Sequence, residues 1–566
     1  MFRAAAPRRQ RLPNHNEHGH LRNRPGRHKL EGVNRTWNRT AFALLLLAAP
    51  AALLAYGTAV HDLLPREALG AQPSIGATTV ARDTLPGVTD ADLGRFRAWV
   101  YDRAQTLPDT SLRRRFLARY PTSTAFDPGA WREFLMIDRN ARAMGVDSFG
   151  EVRRALRAVD RRMDPHRPYA GGERIALAEA LQLGSIYPDL DRRNQDRLLR
   201  DAAGRPVLTS AGDSIPFDPM TLNMGKLTGL SSQAGAHYGL NRTPKSSDPA
   251  TLRTAPWNFA VAPGFPGPVE TYGPDNAQLY TDLALLAALG APGGRTLSAF
   301  YAGNAFHYIA DVGNAVHTVQ VGIYPIFVDA TVQYWLRRIV SLFGLIEQTK
   351  SRNAIGIDIL TNLHTFSEHL YQAQLLEALG DKARGQLAAV PAPMRGALTA
   401  LETGDDSLAR VLADTVGALA RAGPSPAFGR AIAVTLVDAT VRDGAEVYRI
   451  TRDIVSSRLR SGSIIVDFDT VPDARIWRFV RVKRGAMVHT ELDDFDAVHH
   501  RGIARTTSAL RAWWAEYRRE AAVPARQREA VIDAVTTRLV RERLDYLDAA
   551  DARRARWIAS HGGPAR

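Results

Sequence analysis

The chain has no cysteine among its 566 residues. That removes disulfides, thiolate metal sites and cysteine nucleophiles, and leaves His, Asp and Glu as the strong metal ligands. Strand-like alternation is almost as scarce, with "SIIVDFDTV", Ser463 to Val471, as its clear instance. No sequence repeat is found along the chain. Uncharged apolar runs of spanning length are limited to "AFALLLLAAPAALLAYGTAV", Ala41 to Val60.

What remains is the composition of a globular protein, 45% hydrophobic and 23% charged. Basic charge is concentrated at one end. The first forty residues carry ten Lys or Arg against Glu17 and Glu31, a net of +8 out of +15 for the chain. The apolar run that follows is long enough to cross about 30 Å of hydrocarbon as a helix. A basic flank ahead of it predicts a cytoplasmic tail, with the rest of the chain on the far side. A cleaved signal, whose apolar stretch is usually about 7–15 residues, is the alternative reading. The expected organisation is a basic tail over 1–40, a transmembrane signal-anchor over 41–60, a Pro/Gly/Ala-rich linker over 61–88, a helical catalytic domain over 89–380 and a helical region over 381–566.

Helix signals dominate after the linker. "TDADLGRFRAWVYDRAQ" offers Thr89 as an N-cap and acids in the first turn. Near the end, "AVIDAVTTRLVRERLDYLDAADARRARWI" sets Val531, Val535, Leu539, Leu544 and Leu547 along one side, the pattern of a helix packed on a core. The alternative is a helix lying on a membrane surface. Between Gly204 and Pro274 the chain is rich in proline and glycine and cannot be continuous helix. The expected class is therefore all-α with a long loop-rich insertion.

The chemistry-bearing residues lie in "AFHYIADVGNAVHTVQ", Ala305 to Gln320. His307 and Asp311 are four apart, so on a helix they stand one turn above the other on the same side. Gly313 and Asn314 then interrupt the pattern and could return His317 to the same space. A second pair at the same spacing, His364 and Glu368, occurs in "NLHTFSEHL". Any one histidine is ordinarily a satisfied core or surface residue; two helical His/carboxylate pairs are the donor set of a metal site in a bundle core. His489, His499 and His500 are read as surface histidines, and the run Arg113 to Arg115 as a solvated face.

Upstream, "LQLGSIYPDLD" carries Asp189, and "AGAHYGL" carries His237. Taken in order with "HYIADVGNAVH" and the final H-x-x-x-E, these segments resemble the bacterial zinc-dependent phospholipases C. The resemblance spans roughly Ala178 to Leu370. It implies a multi-helix catalytic domain with two zinc ions and a third left open. One ion would take Asp189, His237, His307 and Asp311; the other would take His317, His364 and Glu368. Asp189 would hold the attacking water or accept its proton. Ala315 departs from the family's proline. The stretch between His317 and His364 is long and includes "YPIFVDATVQYWLRRIVSLFGLIE", Tyr324 to Glu347, read as a core hairpin with an interfacial lid as the alternative. The family's third zinc uses a terminal tryptophan amine and a nearby histidine, for which no matching Trp/His pair precedes Asp189.

The resemblance implies a zinc-dependent phosphodiesterase that releases diacylglycerol and a phosphorylated headgroup from phospholipids. The expected partner is a phospholipid membrane rather than nucleic acid. Two alternatives stand beside it: a zinc-dependent single-strand nuclease or nucleotidase of related fold, and a membrane-tethered scaffold with a vestigial metal site. Net positive charge would serve lipid or nucleic acid equally. The helical C-terminal region argues against an appended lipid-binding β-sandwich.

Overall fold

The computed structural model describes residues 84–86, 90–135, 174–190, 205–219, 273–291, 294–318, 392–423, 425–444 and 489–561. It also describes isolated positions between 61 and 69 and at 198, 199, 201, 237, 239, 375, 385, 388, 446, 447 and 450. Contacts divide the chain into Met1–Leu47 and Ala48–Arg566, and everything below belongs to the second unit. Among the described residues the fold is all-α apart from one short antiparallel pair of strands, β1 (Thr84–Pro86) with β2 (Arg174–Ala176).

Helix starts follow local chemistry. Helix α1 spans Asp90–Gln105, directly after the expected cap at Thr89. Helix α2, Thr110–Arg119, is capped by Asp109, whose carboxylate accepts from the Ser111 and Leu112 amides. Helix α3, Pro128–Phe134, is capped by Asp127 with proline in its first turn, where no amide donor is needed. Around them Phe116, Tyr120, Phe126, Trp131 and Phe134 pack at ring separations of 4.9 to 6.4 Å. They give this part of the core an aromatic filling.

The centre is built from α4 (Leu177–Leu190), α5 (Gly273–Leu289) and α6 (Gly294–Gly313). Nearly every residue of α5 and α6 is buried, which is why neither shows a one-sided apolar stripe. Helix α6 leads into the short α7 (Ala315–Thr318). After α8 (Ala392–Thr403) and α9 (Asp406–Ala422, capped by Asp405) come α10 (Phe428–Thr440), then the long α11 (His489–Ala521) and α12 (Ala525–His561). Helix α6 packs on α4, α5, α10 and α11; α12 packs on α5 and on α1 to α3. The boundary drawn at residue 380 thus does not separate two cores, since one buried apolar cluster runs from Leu64 to Leu544.

Two features fix how closely these helices approach. Where α4 crosses α6, glycine faces glycine: a Cβ on Gly184 would lie 1.9 Å from the Phe300 carbonyl oxygen. One on Gly303 would lie 2.1 Å from that of Leu181. The two backbones touch, and only residues without a side chain permit it. Between α5 and α12, Arg538 donates to the fully buried carboxylate of Asp282, and Gln278 donates to the same carboxylate at 2.7 Å. Trp513 of α11 donates its indole N–H to Thr281 Oγ1 at 2.8 Å.

The expected face of α12 is the buried one: Val531, Val535, Leu539, Leu544 and Leu547 lie in the interior, as a helix packed on the core requires. The linker reading of 61–88 needs correction. His61, Leu64, Pro65 and Glu67 to Leu69 are helical, with His61 and Leu64 fully buried, and β1 lies within the same stretch. Leu64, Ala68 and Leu69 reach the core despite the Pro/Gly content of the stretch. His499 is also not a surface histidine: it is buried on α11 and its Nδ1 donates to the Phe495 carbonyl at 2.8 Å. Arg114 and Arg115 are exposed as expected, Arg115 pairing at the surface with Asp545 and Asp548, while Arg113 is half-buried. Among the described residues no helix is long and apolar enough to cross a membrane; the predicted anchor over 41–60 lies outside them. Ser463 to Val471 and Tyr324 to Glu347 lie outside them too.

Candidate metal centre

Helix α6 carries His307 and Asp311 at the helical spacing that stacks them on one side, and both are fully buried. His307 Nε2 lies 3.2 Å from Asp311 Oδ2. His237, arriving from the proline-rich insertion, places Nδ1 2.5 Å from the same carboxylate oxygen and 3.0 Å from His307 Nε2. The insertion is tied here by the Gly239 amide, which donates to the His317 carbonyl at 3.1 Å. The fourth group is His61. Its ring stacks on that of His307 with centroids 4.0 Å apart, and its Nε2 lies 3.2 Å from Asp311 Oδ1.

Of the expected ligands, the structure therefore brings His237, His307 and Asp311 together. His317 is buried beside them on α7, its ring centroid 6.4 Å from that of His237. Asp189 sits at the C-terminal end of α4, with its side chain outside the described residues; His364 and Glu368 lie outside them altogether. His61 was not anticipated. No spacing motif connects it to the others, and the clue available was a lone histidine directly after the long apolar run, in a stretch whose Pro/Gly content pointed to a linker.

The electrostatics favour a cation. Burial pushes His61 down to about 3, helped by the neighbouring His307 and opposed by Asp311, so the ring is neutral near pH 7. Burial alone would raise Asp311, but His307 and His237 overcome it and hold the carboxyl well below its ordinary value. The site thus presents a neutral imidazole and an ionised carboxylate buried from solvent. Asp311 Oδ1 is buried and accepts no well-aligned hydrogen bond among its neighbours. A buried carboxylate oxygen without a donor carries the full cost of lost hydration unless a cation supplies it.

The geometry passes the same test. In a tetrahedral site with metal–ligand bonds of about 2.0–2.1 Å, the ligand atoms are about 3.3 Å apart. His61 Nε2 lies 3.2 Å from Asp311 Oδ1 and His307 Nε2 lies 3.2 Å from Asp311 Oδ2, so each imidazole stands at such a distance from its own carboxylate oxygen. His61, His307 and Asp311 form a buried group that could hold a metal ion. His237 is closer, as a hydrogen-bond donor to Asp311, and would exchange that proton for the ion on binding. The outer support expected of a metal-ligating histidine is present, since His307 Nδ1 donates to the Ser185 carbonyl at 2.8 Å. No family model, curated protein or solved structure matches this chain.

Proposed function

We propose that the chain is a zinc-dependent phosphodiesterase that hydrolyses phospholipids, held at a membrane by residues 41–60 with its catalytic domain on the extracytoplasmic side. The observation that carries the reading is the convergence of His61, His307 and Asp311 as a buried group, with His237 against the same carboxylate. This donor set of imidazoles and one carboxylate suits zinc.

His237, His307, Asp311 and His61 would hold the ions on this side of the site. The two oxygens of Asp311 face different histidines, as a carboxylate shared between two ions would. His317, placed next to His237, would continue the site toward His364 and Glu368, the pair assigned by resemblance. His61, which is not among the ligands assigned by resemblance, would add an imidazole on the Asp311 Oδ1 side. When bound, zinc would activate a water and neutralise the phosphate oxygens. Asp189, at the end of the helix whose Ser185 supports His307, would receive the proton. Exclusion of solvent by α4, α5 and α6 keeps the charges of the site strong.

The test uses the full chain in detergent or vesicles after zinc-replete purification. Expected are bound zinc by elemental analysis, release of phosphorylated headgroup from phosphatidylcholine vesicles, and loss of both in Asp311→Ala. Bound zinc with activity on single-stranded oligonucleotides but none on vesicles would replace the lipid reading by the nuclease one. Absence of bound metal would leave the scaffold reading.

A further inference from the structure

We propose that Ser185 is a positioning residue that joins the two halves of the metal centre, through its backbone to His307 and through its hydroxyl to His61. This rests on the metal reading above. Two hydrogen bonds carry it. His307 Nδ1 lies 2.8 Å from the Ser185 carbonyl oxygen, and Ser185 Oγ lies 2.7 Å from the His61 carbonyl oxygen. Ser185, His61 and His307 are all fully buried, so neither bond can be exchanged for water.

The directions of both bonds are forced. A carbonyl only accepts, so His307 must carry a proton on Nδ1, and Nε2 is the nitrogen whose lone pair would take an ion on binding. Nε2 is the nitrogen that faces Asp311. Ser185 therefore selects the tautomer that can ligate. Its hydroxyl, for the same reason, is the donor to the His61 carbonyl. It holds the backbone of a residue 124 positions away in sequence against α4. With its backbone held, the His61 ring stacks on His307 at 4.0 Å and reaches Asp311.

The helix crossing explains why this residue serves. A Cβ on Gly303 would lie 2.8 Å from the Ser185 amide nitrogen, so α4 and α6 are in backbone contact there. His307 stands one helical turn beyond Gly303, on the same side. The crossing thus sets the Ser185 carbonyl within reach of the imidazole. A serine one residue after the contact glycine then has its side chain free for a third segment.

The experiment is a cycle of Ser185→Ala, His61→Ala and the double variant in the full chain, read by zinc affinity in competition with a chromophoric chelator. Alanine keeps the helix and removes only the hydroxyl. Loss of such outer support typically weakens metal affinity about 10–100-fold. The same range is expected for Ser185→Ala in the parent and no further loss in the His61→Ala background, because both changes remove one ligand. Unchanged affinity in Ser185→Ala, or an equal further loss in the His61→Ala background, would overturn the proposal. Nitrogen-15 NMR of the unsubstituted chain tests the backbone half: His307 protonated on Nδ1 supports it and the other tautomer refutes it. If the parent binds no zinc, the metal reading fails by itself. Acylation of the metal-free chain by diethyl pyrocarbonate then decides the role of Ser185. Faster modification of His61 in Ser185→Ala supports the tether, and an unchanged rate refutes it.

Discussion

Gly303→Ala offers the sharpest test of how the centre is assembled, because intrinsic propensity and tertiary contact predict opposite results. In an exposed helix, glycine to alanine stabilises by about 1 kcal/mol. Here the added carbon would sit 2.1 Å from the Leu181 carbonyl oxygen and 2.8 Å from the Gly184 Cα. Ordinary contact needs about 3.5 Å, so α4 and α6 would have to part by roughly 1–1.5 Å. The hydrogen bond from His307 Nδ1 to Ser185, 2.8 Å long, would open beyond bonding range. Overpacking costs about 1–3 kcal/mol, and a buried donor left without its acceptor about 1–3 kcal/mol more. After the propensity gain, the net loss is roughly 1–5 kcal/mol. Urea denaturation of the metal-free chain measures it, and zinc affinity should fall in parallel. Gly94→Ala is the control: that glycine lies within α1 with no atom near its added Cβ, and the variant should be slightly more stable than the parent. If Gly303→Ala matches Gly94→Ala in stability and binds zinc like the parent, the close crossing does not hold the site.

Two further results are expected. Removing one partner of the buried Arg538–Asp282 pair, as in Arg538→Met, should cost about 3–5 kcal/mol in urea denaturation. Arg538→Met with Asp282→Leu should recover most of that loss, and a double variant as unstable as the single one would contradict the pairing. His499 should make the fold acid-sensitive. Burial lowers it from 6.5 to about 4, so the unfolded chain binds a proton that the folded chain refuses. The stability is whole above about pH 6.5 and falls as the pH drops toward 4, by about 3 kcal/mol in all. His61, lowered in the same direction, adds its own acid loss. The contribution of His499 is therefore read as the difference from His499→Gln, whose stability profile should be flatter between pH 6.5 and 4; coincident profiles would refute the assignment.

Part of this protein is written in local sequence. The caps of α2 and α3, the start of α1 and the buried face of α12 follow from residues a few positions apart, as does the pairing of His307 with Asp311 one turn on. Those relations depend only on helix geometry and the chemistry of adjacent amides, which a sequence states directly. The rest was decided in three dimensions. His61 reads as part of a linker, and only the packing of its segment against α4 brings it to Asp311. Asp282, Arg538 and His499 look like surface residues until neighbouring helices enclose them, because burial is a property of what arrives from elsewhere in the chain. Gly184 and Gly303 have no local signature of their role: two glycines in two helices become a contact only when the helices cross. The sequence by itself determined which helix could carry a metal site; tertiary structure decided which distant imidazole completes it, because ligands converge through packing and not through spacing.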